Sequence, residues 1–145
     1  MTSYVLDSSV AAKWFLPPAQ EPLVAEAQQM LRGFASGALR LLAPDLFWPE
    51  MGNVLWKAVR QGRMPAASCD SAVAALEGIG VTTFSCLPLL RDAVALARTF
   101  DRPVCDCVYV VLAVSSGAPL VTADERLANA LAARFPIRWL GAFAV

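Results

Sequence analysis

A chain of 145 residues with twelve Lys and Arg against twelve Asp and Glu has room for one domain with a substantial core and little for a second. Its balanced charge lacks the basic excess that usually marks a nucleic-acid binder. The chain contains no histidine, which excludes nucleases built on paired histidines and Ser-His-Asp hydrolases, because the commonest general acid and base is missing.

Hydrophobic residues make up 57% of the chain and charged residues 17%. That balance suits a sheet whose strands are buried on both faces by helices. The longest clean apolar run, Val108 to Val114, is far short of the ~20 residues that a membrane-spanning helix needs. The N-terminal segment Met1 to Asp7 has no basic stretch and reaches a charge too early for a secretion signal. The expectation is therefore a cytoplasmic protein, with Cys69, Cys86, Cys105 and Cys107 as reduced, buried, inert thiols. Cys105-x-Cys107 has the spacing of a metal pair but no histidine to complete a mixed site.

In chain order, Tyr4 to Leu6 reads as a buried strand, broken by Asp7-Ser8-Ser9, with a short helix following to Leu16. Pro17-Pro18 ends that helix. Leu23 to Phe34 repeats apolar and small residues at helical spacing and closes at Gly37, and Leu41 to Ala43 is a second strand. Asp45 has the position of an N-cap, with Pro49 tolerated in the first turn of a helix running to about Gln61. Gly62 stops it, and Pro65 opens another helix to about Glu77. Val81 to Phe84 is a strand. Pro88 starts a helix that places Leu89, Ala93, Leu96, Ala97 and Phe100 on one face. Asp106 precedes a very apolar helix ending near Ser116-Gly117. Leu120 to Thr122 is a strand, Asp124 precedes a helix to Arg134, and Arg138 to Leu140 is a last strand. Strands alternating with helices predict one α/β domain over residues 1–145, with a central parallel sheet of four to five strands flanked by helices on both faces.

Ligands of open α/β sheets bind beyond the carboxyl ends of the strands. Asp7 closes the first strand, and Asp124 lies just past the strand ending at Thr122. Glu50 and Asp106 sit at or near the starts of helices that follow connections from the sheet. Singly, each acid is explained as a helix cap contributing about 0.5–2 kcal/mol. Together at one edge they repel unless cations neutralise them, and oxygen-only ligands select hard ions such as Mg²⁺ or Mn²⁺. Asp45, Asp101 and Glu125 are the rival acids. Asp45 reads as a cap, Asp101 as part of a Pro-bounded turn, and Glu125 as an ordinary first-turn acid.

The runs Val5-Leu6-Asp7-Ser8-Ser9, Pro49-Glu50-x-x-Asn53-Val54-Leu55, Asp106-x-x-Tyr109-x-x-Leu112-Ala113 and Leu120-Val121-Thr122-Ala123-Asp124-x-x-Leu127 resemble the four motifs of the PIN-domain ribonucleases. They occur in the family's order and are most similar to those of the VapC toxins. The resemblance implies a PIN-like domain with endoribonuclease activity dependent on Mg²⁺ or Mn²⁺. Asp7, Glu50, Asp106 and Asp124 would be both catalytic acids and metal ligands. Ser8 and Thr122 would support the metal ligands or orient a metal-bound water or the phosphate. It also implies RNA as substrate, a cognate antitoxin protein as partner and a homodimer. One departure is that Asp106 lies between two cysteines, where the family more usually has an aromatic and a small residue.

Lys57 lies two helical turns from Glu50, with Arg60 and Arg63 beyond, while Lys13 and Arg126 closely follow Asp7 and Asp124. Lys13, Lys57, Arg60 and Arg126 are candidate phosphate contacts, and a solvated helix face is the alternative for each. Trp14, Phe15, Phe47, Trp48 and Trp56 cluster around two motif helices, as core residues or as a groove for an antitoxin helix or a second copy. Two other readings stand beside the metal-dependent ribonuclease. A receiver-like domain using Asp7 lacks a second acid at Ser9, and a catalytically inert PIN-like module would bind RNA or a partner without cutting.

Overall fold

The computed structural model describes residues 1–143, and in it the short apolar runs condense into one five-stranded sheet. The elements are β1 (Thr2–Leu6), α1 (Ser8–Ala11), α2 (Val24–Ala35), β2 (Leu39–Pro44), α3 (Phe47–Arg60), α4 (Ala66–Glu77), β3 (Thr82–Phe84), α5 (Leu90–Phe100), α6 (Val104–Ser116), β4 (Leu120–Thr122), α7 (Glu125–Leu131) and β5 (Ile137–Trp139). The spatial order is β3-β2-β1-β4-β5, and every neighbouring pair is parallel. The chain winds outward from β1 through β2 to β3, then crosses back to lay β4 on the other side of β1. The winding therefore reverses between β1 and β4, the position at which sheets of this kind leave a crevice.

Side chains alternate across the strands and build two cores. Tyr4 and Leu6 of β1, Leu41 and Ala43 of β2 and Val121 of β4 pack with α1 to α4. Val5, Leu42 and Leu120 face the layer of α5 to α7. Helix α6 is buried continuously from Cys107 to Ala113, because it lies against β1, β2 and β4 and is covered by α5. That enclosure is why its sequence is apolar all round rather than on one stripe.

Several local expectations shift. Helix α6 begins two residues before Asp106, so that acid sits inside the first turn. The last strand lies one residue earlier than expected, and α7 ends at Leu131. Asp45 does not cap α3, which carries no side-chain cap. Strand β2 runs on to Pro44, leaving Asp45 between two strand ends. There its N–H donates to the Phe84 carbonyl at 2.7 Å and its Oδ1 accepts the Cys86 N–H at 3.2 Å. Asp101 closes α5 with φ of 54°, a left-handed geometry that short Asp side chains tolerate.

Lys13 is not a surface phosphate contact in this fold. It is 6% exposed, and its Nζ pairs with Glu21 Oε2 at 3.1 Å. Glu21 Oε1 also accepts from Arg63 at 3.1 Å, and Arg63 Nε donates to Gln20 at 3.0 Å. The chain that leaves the short helix through Pro17-Pro18 turns back here, and these pairs fasten it beside the end of α3. Removing one partner of a buried pair strands the other charge at a cost of about 3 kcal/mol. Glu21→Ala should therefore lower unfolding stability by about that amount, and Lys13→Met, which leaves Glu21 paired to Arg63, by clearly less. Urea denaturation of both variants checks this, and equal losses would show that Lys13 is not held as a buried charge.

Candidate active site

The first residue after β1 is Asp7. Its backbone carbonyl starts α1 by accepting from Val10 and Ala11, but its carboxylate makes no cap bond. Instead Oδ2 accepts from Ser9 Oγ and from Thr122 Oγ1, each at 2.7 Å. Those hydroxyl oxygens accept in turn from the backbone, Ser9 from Ala123 N–H and Thr122 from Asp124 N–H, both at 3.0 Å. Each hydroxyl has a single hydrogen, so the donors behind it commit that hydrogen to Asp7. Thr122 is fully buried and orients the Asp7 carboxylate, so of its two expected roles it has the geometry of one that supports a ligand rather than one that meets water or phosphate directly. Ser9 does the same and carried no assignment in the sequence reading.

Glu50 projects from the first turn of α3. Its Oε1 accepts from Tyr109 Oη at 2.7 Å and Ser8 Oγ at 3.2 Å. Ser8 thus also acts on a carboxylate. Asp106 lies in the first turn of α6, half-buried, with Arg102 one turn earlier at 3.7 Å. Arg102 was not singled out from sequence, and its Nε is buried with no hydrogen-bond partner among the described residues. Only Asp124 caps in the ordinary sense, its Oδ1 accepting from Arg126 N–H at 3.0 Å and Leu127 N–H at 3.3 Å. The cap explanation thus accounts for one oxygen of one acid and for none of the other three.

Burial raises the Asp7 carboxyl above the ordinary aspartate range, and the Asp124 charge adds to this, while the Thr122 and Ser9 hydrogen bonds pull it back. Burial likewise raises Glu50. The charges of Asp7 and Asp106 push it further, against the Tyr109 and Ser8 hydrogen bonds. Asp106 is raised by burial and by Asp7 and Asp124, and Arg102 relieves part of that. Burial, then Asp7 and Glu50, drives the Tyr109 phenol far upward, so it stays protonated and donates. The four expected acids therefore share one field. They come from β1, α3, α6 and the loop after β4, at one edge of the sheet.

An all-oxygen set of like charges without a histidine fits a hard divalent cation in its chemistry. As they stand, no three acids among the described residues are close enough to enclose an ion. Glu50 Oε2, Asp106 Oδ1 and Asp124 Oδ2 have no hydrogen-bond partner among the described residues. Together with Asp7 Oδ1, which accepts from no side chain among the described residues, those are the oxygens left to turn toward a cation.

Of the candidate phosphate contacts, Lys57, Arg60 and Arg126 are exposed, Lys57 and Arg60 in the last turn of α3, and the Arg60 guanidinium stacks 5.3 Å from the half-exposed Trp56 ring. Phe47 is core, and Trp48 meets it edge-on. Trp48 also lines a 510 Å³ groove with Val73 and Leu76, while Trp14, Phe15, Met64 and Ala72 line a second groove of 430 Å³. The cysteines divide: Cys107 is buried, and burial together with Asp106 raises its thiol, keeping it neutral. Cys105 is exposed, contrary to the expectation of a buried thiol, because the buried stretch of α6 begins only at Cys107.

The PIN domain family model matches residues 4–131 and so spans all four acids. Ribonuclease VapC3 of Pyrobaculum aerophilum is 32% identical over 130 residues, covering 86% of this chain and 92% of that protein. A crystal structure from Pyrobaculum aerophilum superposes with a TM-score of 0.66 at 24% identity, over 97% of this chain and 92% of that one. Mycobacterium tuberculosis VapC20, described as a sarcin–ricin loop cleaving toxin, gives 0.63 at 18% identity, over 91% and 95%. A toxin–antitoxin complex from Klebsiella pneumoniae gives 0.57 at 13%, over 98% and 99%. At these identities the superpositions speak for the fold, whereas the family model and the curated relative speak for descent. The chain belongs to the PIN domain family, on its VapC branch.

Proposed function

We propose that this chain is an endoribonuclease that hydrolyses RNA phosphodiesters with Mg²⁺ or Mn²⁺, and that it is the cytoplasmic toxin of a VapBC-type toxin–antitoxin pair. The observation that carries the reading is the electrostatic convergence of Asp7, Glu50, Asp106 and Asp124 from four separate elements, three of them raised by burial and by one another. The VapC branch, with a relative named a ribonuclease, supports RNA as the substrate. The Klebsiella pneumoniae neighbour, named as a toxin–antitoxin complex, supports an antitoxin as partner.

Asp7, Glu50, Asp106 and Asp124 are the residues that would hold the cation. Bound there, a divalent cation neutralises the like charges, draws charge from the scissile phosphate and acidifies water enough to supply a nucleophile near neutral pH. Ser9 and Thr122 keep Asp7 fixed, Tyr109 and Ser8 keep Glu50 fixed, and the α7 N-terminus holds one oxygen of Asp124. Lys57, Arg60 and Arg126 are free to meet phosphates flanking the cut, whereas Lys13 is committed to Glu21. The two apolar grooves beside α4 suit an amphipathic antitoxin helix. Exposed Leu90 and Val94 on α5, with Leu87 just before it, suit a second copy. One observation favours an inert RNA- or partner-binding module instead, namely that no three acids yet enclose an ion. Cleavage separates the two readings.

Cleavage of RNA should require Mg²⁺ or Mn²⁺, and Asp7→Asn or Asp124→Asn should reduce it by more than the ~10–100-fold typical of residues that only orient a ligand. Undiminished cutting in excess EDTA would remove the metal from the mechanism. With no histidine to deprotonate the ribose 2′-hydroxyl, water is the expected nucleophile and the products should carry 5′-phosphate and 3′-hydroxyl ends. End-group analysis yielding 2′,3′-cyclic phosphates would contradict this.

The raised carboxyls also set the pH dependence of stability without metal. A carboxyl whose pKa is higher folded than unfolded gives the native state the extra proton, so stability falls as pH rises. For Asp7, Glu50 and Asp106 this contribution is complete below about pH 4 and is lost as pH rises through their raised folded values. In EDTA the melting temperature of the parent, relative to Asp7→Asn, should therefore decline toward neutral pH, with Asp7→Asn the more stable at pH 7. Thermal melts across pH 4–8 test this, and parallel curves would mean that Asp7 carries no repulsion.

A further inference from the structure

Glu50 and Tyr109 come from opposite faces of the sheet. Helix α3, which carries Glu50, packs in the layer of α1, α2 and α4, whereas α6, which carries Tyr109, belongs to the other layer. They meet only at the carboxyl edge of the strands, where the Tyr109 hydroxyl donates to Glu50 Oε1 at 2.7 Å. Among the described residues, this is the only side-chain hydrogen bond joining a helix of one layer to a helix of the other.

Tyr109 is 2% exposed, so its hydroxyl does not face RNA, and a phenol buried that deeply needs an acceptor. Glu50 Oε1 is that acceptor. Ser8 donates to the same oxygen from β1's side of the edge, so both donors converge on Oε1 and leave Oε2 unengaged among the described residues. A glutamate has several rotatable side-chain bonds, and holding one oxygen from two directions removes that freedom before a ligand arrives. Ring packing does not need the hydroxyl. Phenylalanine would fill nearly the same volume and hold nothing.

We propose that Tyr109 is a positioning residue, whose hydroxyl grips Glu50 Oε1 across the sheet edge and so presents Oε2 to the divalent cation. This rests on the metal-dependent reading of the site. Buried partners that orient metal ligands commonly change affinity by about 10–100-fold when removed.

The experiment compares Tyr109→Phe, Glu50→Gln and the double variant in the full chain. Mn²⁺ alone is titrated by electron paramagnetic resonance without RNA, beside metal-free melting curves. Tyr109→Phe should weaken Mn²⁺ binding by about tenfold, with a melting temperature close to the parent's, and should cause no further loss once Glu50 is Gln. Parent-like Mn²⁺ affinity in Tyr109→Phe overturns the proposal, as does an equal loss in the Glu50→Gln background, which would place the effect elsewhere. If Tyr109→Phe folds poorly, Ser8→Ala removes the other donor to Oε1 and should weaken Mn²⁺ binding in the same direction, and unchanged affinity again overturns the proposal. A parent that binds no Mn²⁺ overturns the metal-dependent reading and the proposal together. A parent that binds Mn²⁺ beside an unaffected variant overturns the positioning role alone.

Discussion

Asp7 stands where burial and neighbouring carboxylates both oppose its charge, and much of the surrounding structure exists to hold it there. Its backbone belongs to the edge of the central strand, so it cannot retreat to solvent without pulling β1 away from β2 and β4. Four acids kept together in this way repel in the metal-free protein. Such an edge is unfavourable to the fold as it stands, and functional residues are often less stable than their neighbours would allow.

Hydroxyl groups carry most of the compensation, and their direction is set by the main chain behind them. Backbone N–H groups of Ala123 and Asp124 donate into Ser9 and Thr122, leaving the hydroxyl hydrogens for Asp7. This relay ties the end of β1 to the end of β4 at the point where the winding of the sheet reverses. Glu50 is held by a separate pair of hydroxyls, one from α1 and one from α6. Arg102 supplies a nearby cation, long in its contact with Asp106 and, among the described residues, without a partner for its own Nε. The cluster thus lowers its repulsion mainly with neutral donors rather than with lysines.

Basic residues are sorted by depth. Lys13 and Arg63 spend their charges on Glu21 and stabilise the chain reversal after Pro17-Pro18, whereas Lys57, Arg60 and Arg126 remain outward. A formal net charge of zero therefore hides a division in which some bases are paired and buried while others stay exposed. Association with a polyanion depends on the local field more than on the total.

The order of strands and helices was legible in the sequence because its patterns are strong: short continuous apolar runs where strands are buried on both faces, and a spacing of nearly four where helices pack on them. The acids could be picked out because each falls at a strand end or in a first helical turn, and because the resemblance supplied their order. Sequence did not reveal that Asp45 ties β2 to β3, which carboxylate Thr122 and Ser8 each hold, or that Lys13 is buried. In each case the deciding partner, Cys86, Asp7, Glu50 or Glu21, is reached only when the chain has folded back, and local pattern carries no record of it. The amino-acid sequence by itself determined the α/β class, the chemistry of an all-oxygen site and the exclusion of histidine catalysis, since composition and periodicity are properties of the chain alone. Only the tertiary structure decided which oxygen of each acid is restrained and which is left for a ligand, because a hydrogen bond such as that from Tyr109 to Glu50 depends on two helices meeting across a sheet edge, 59 residues apart in the chain.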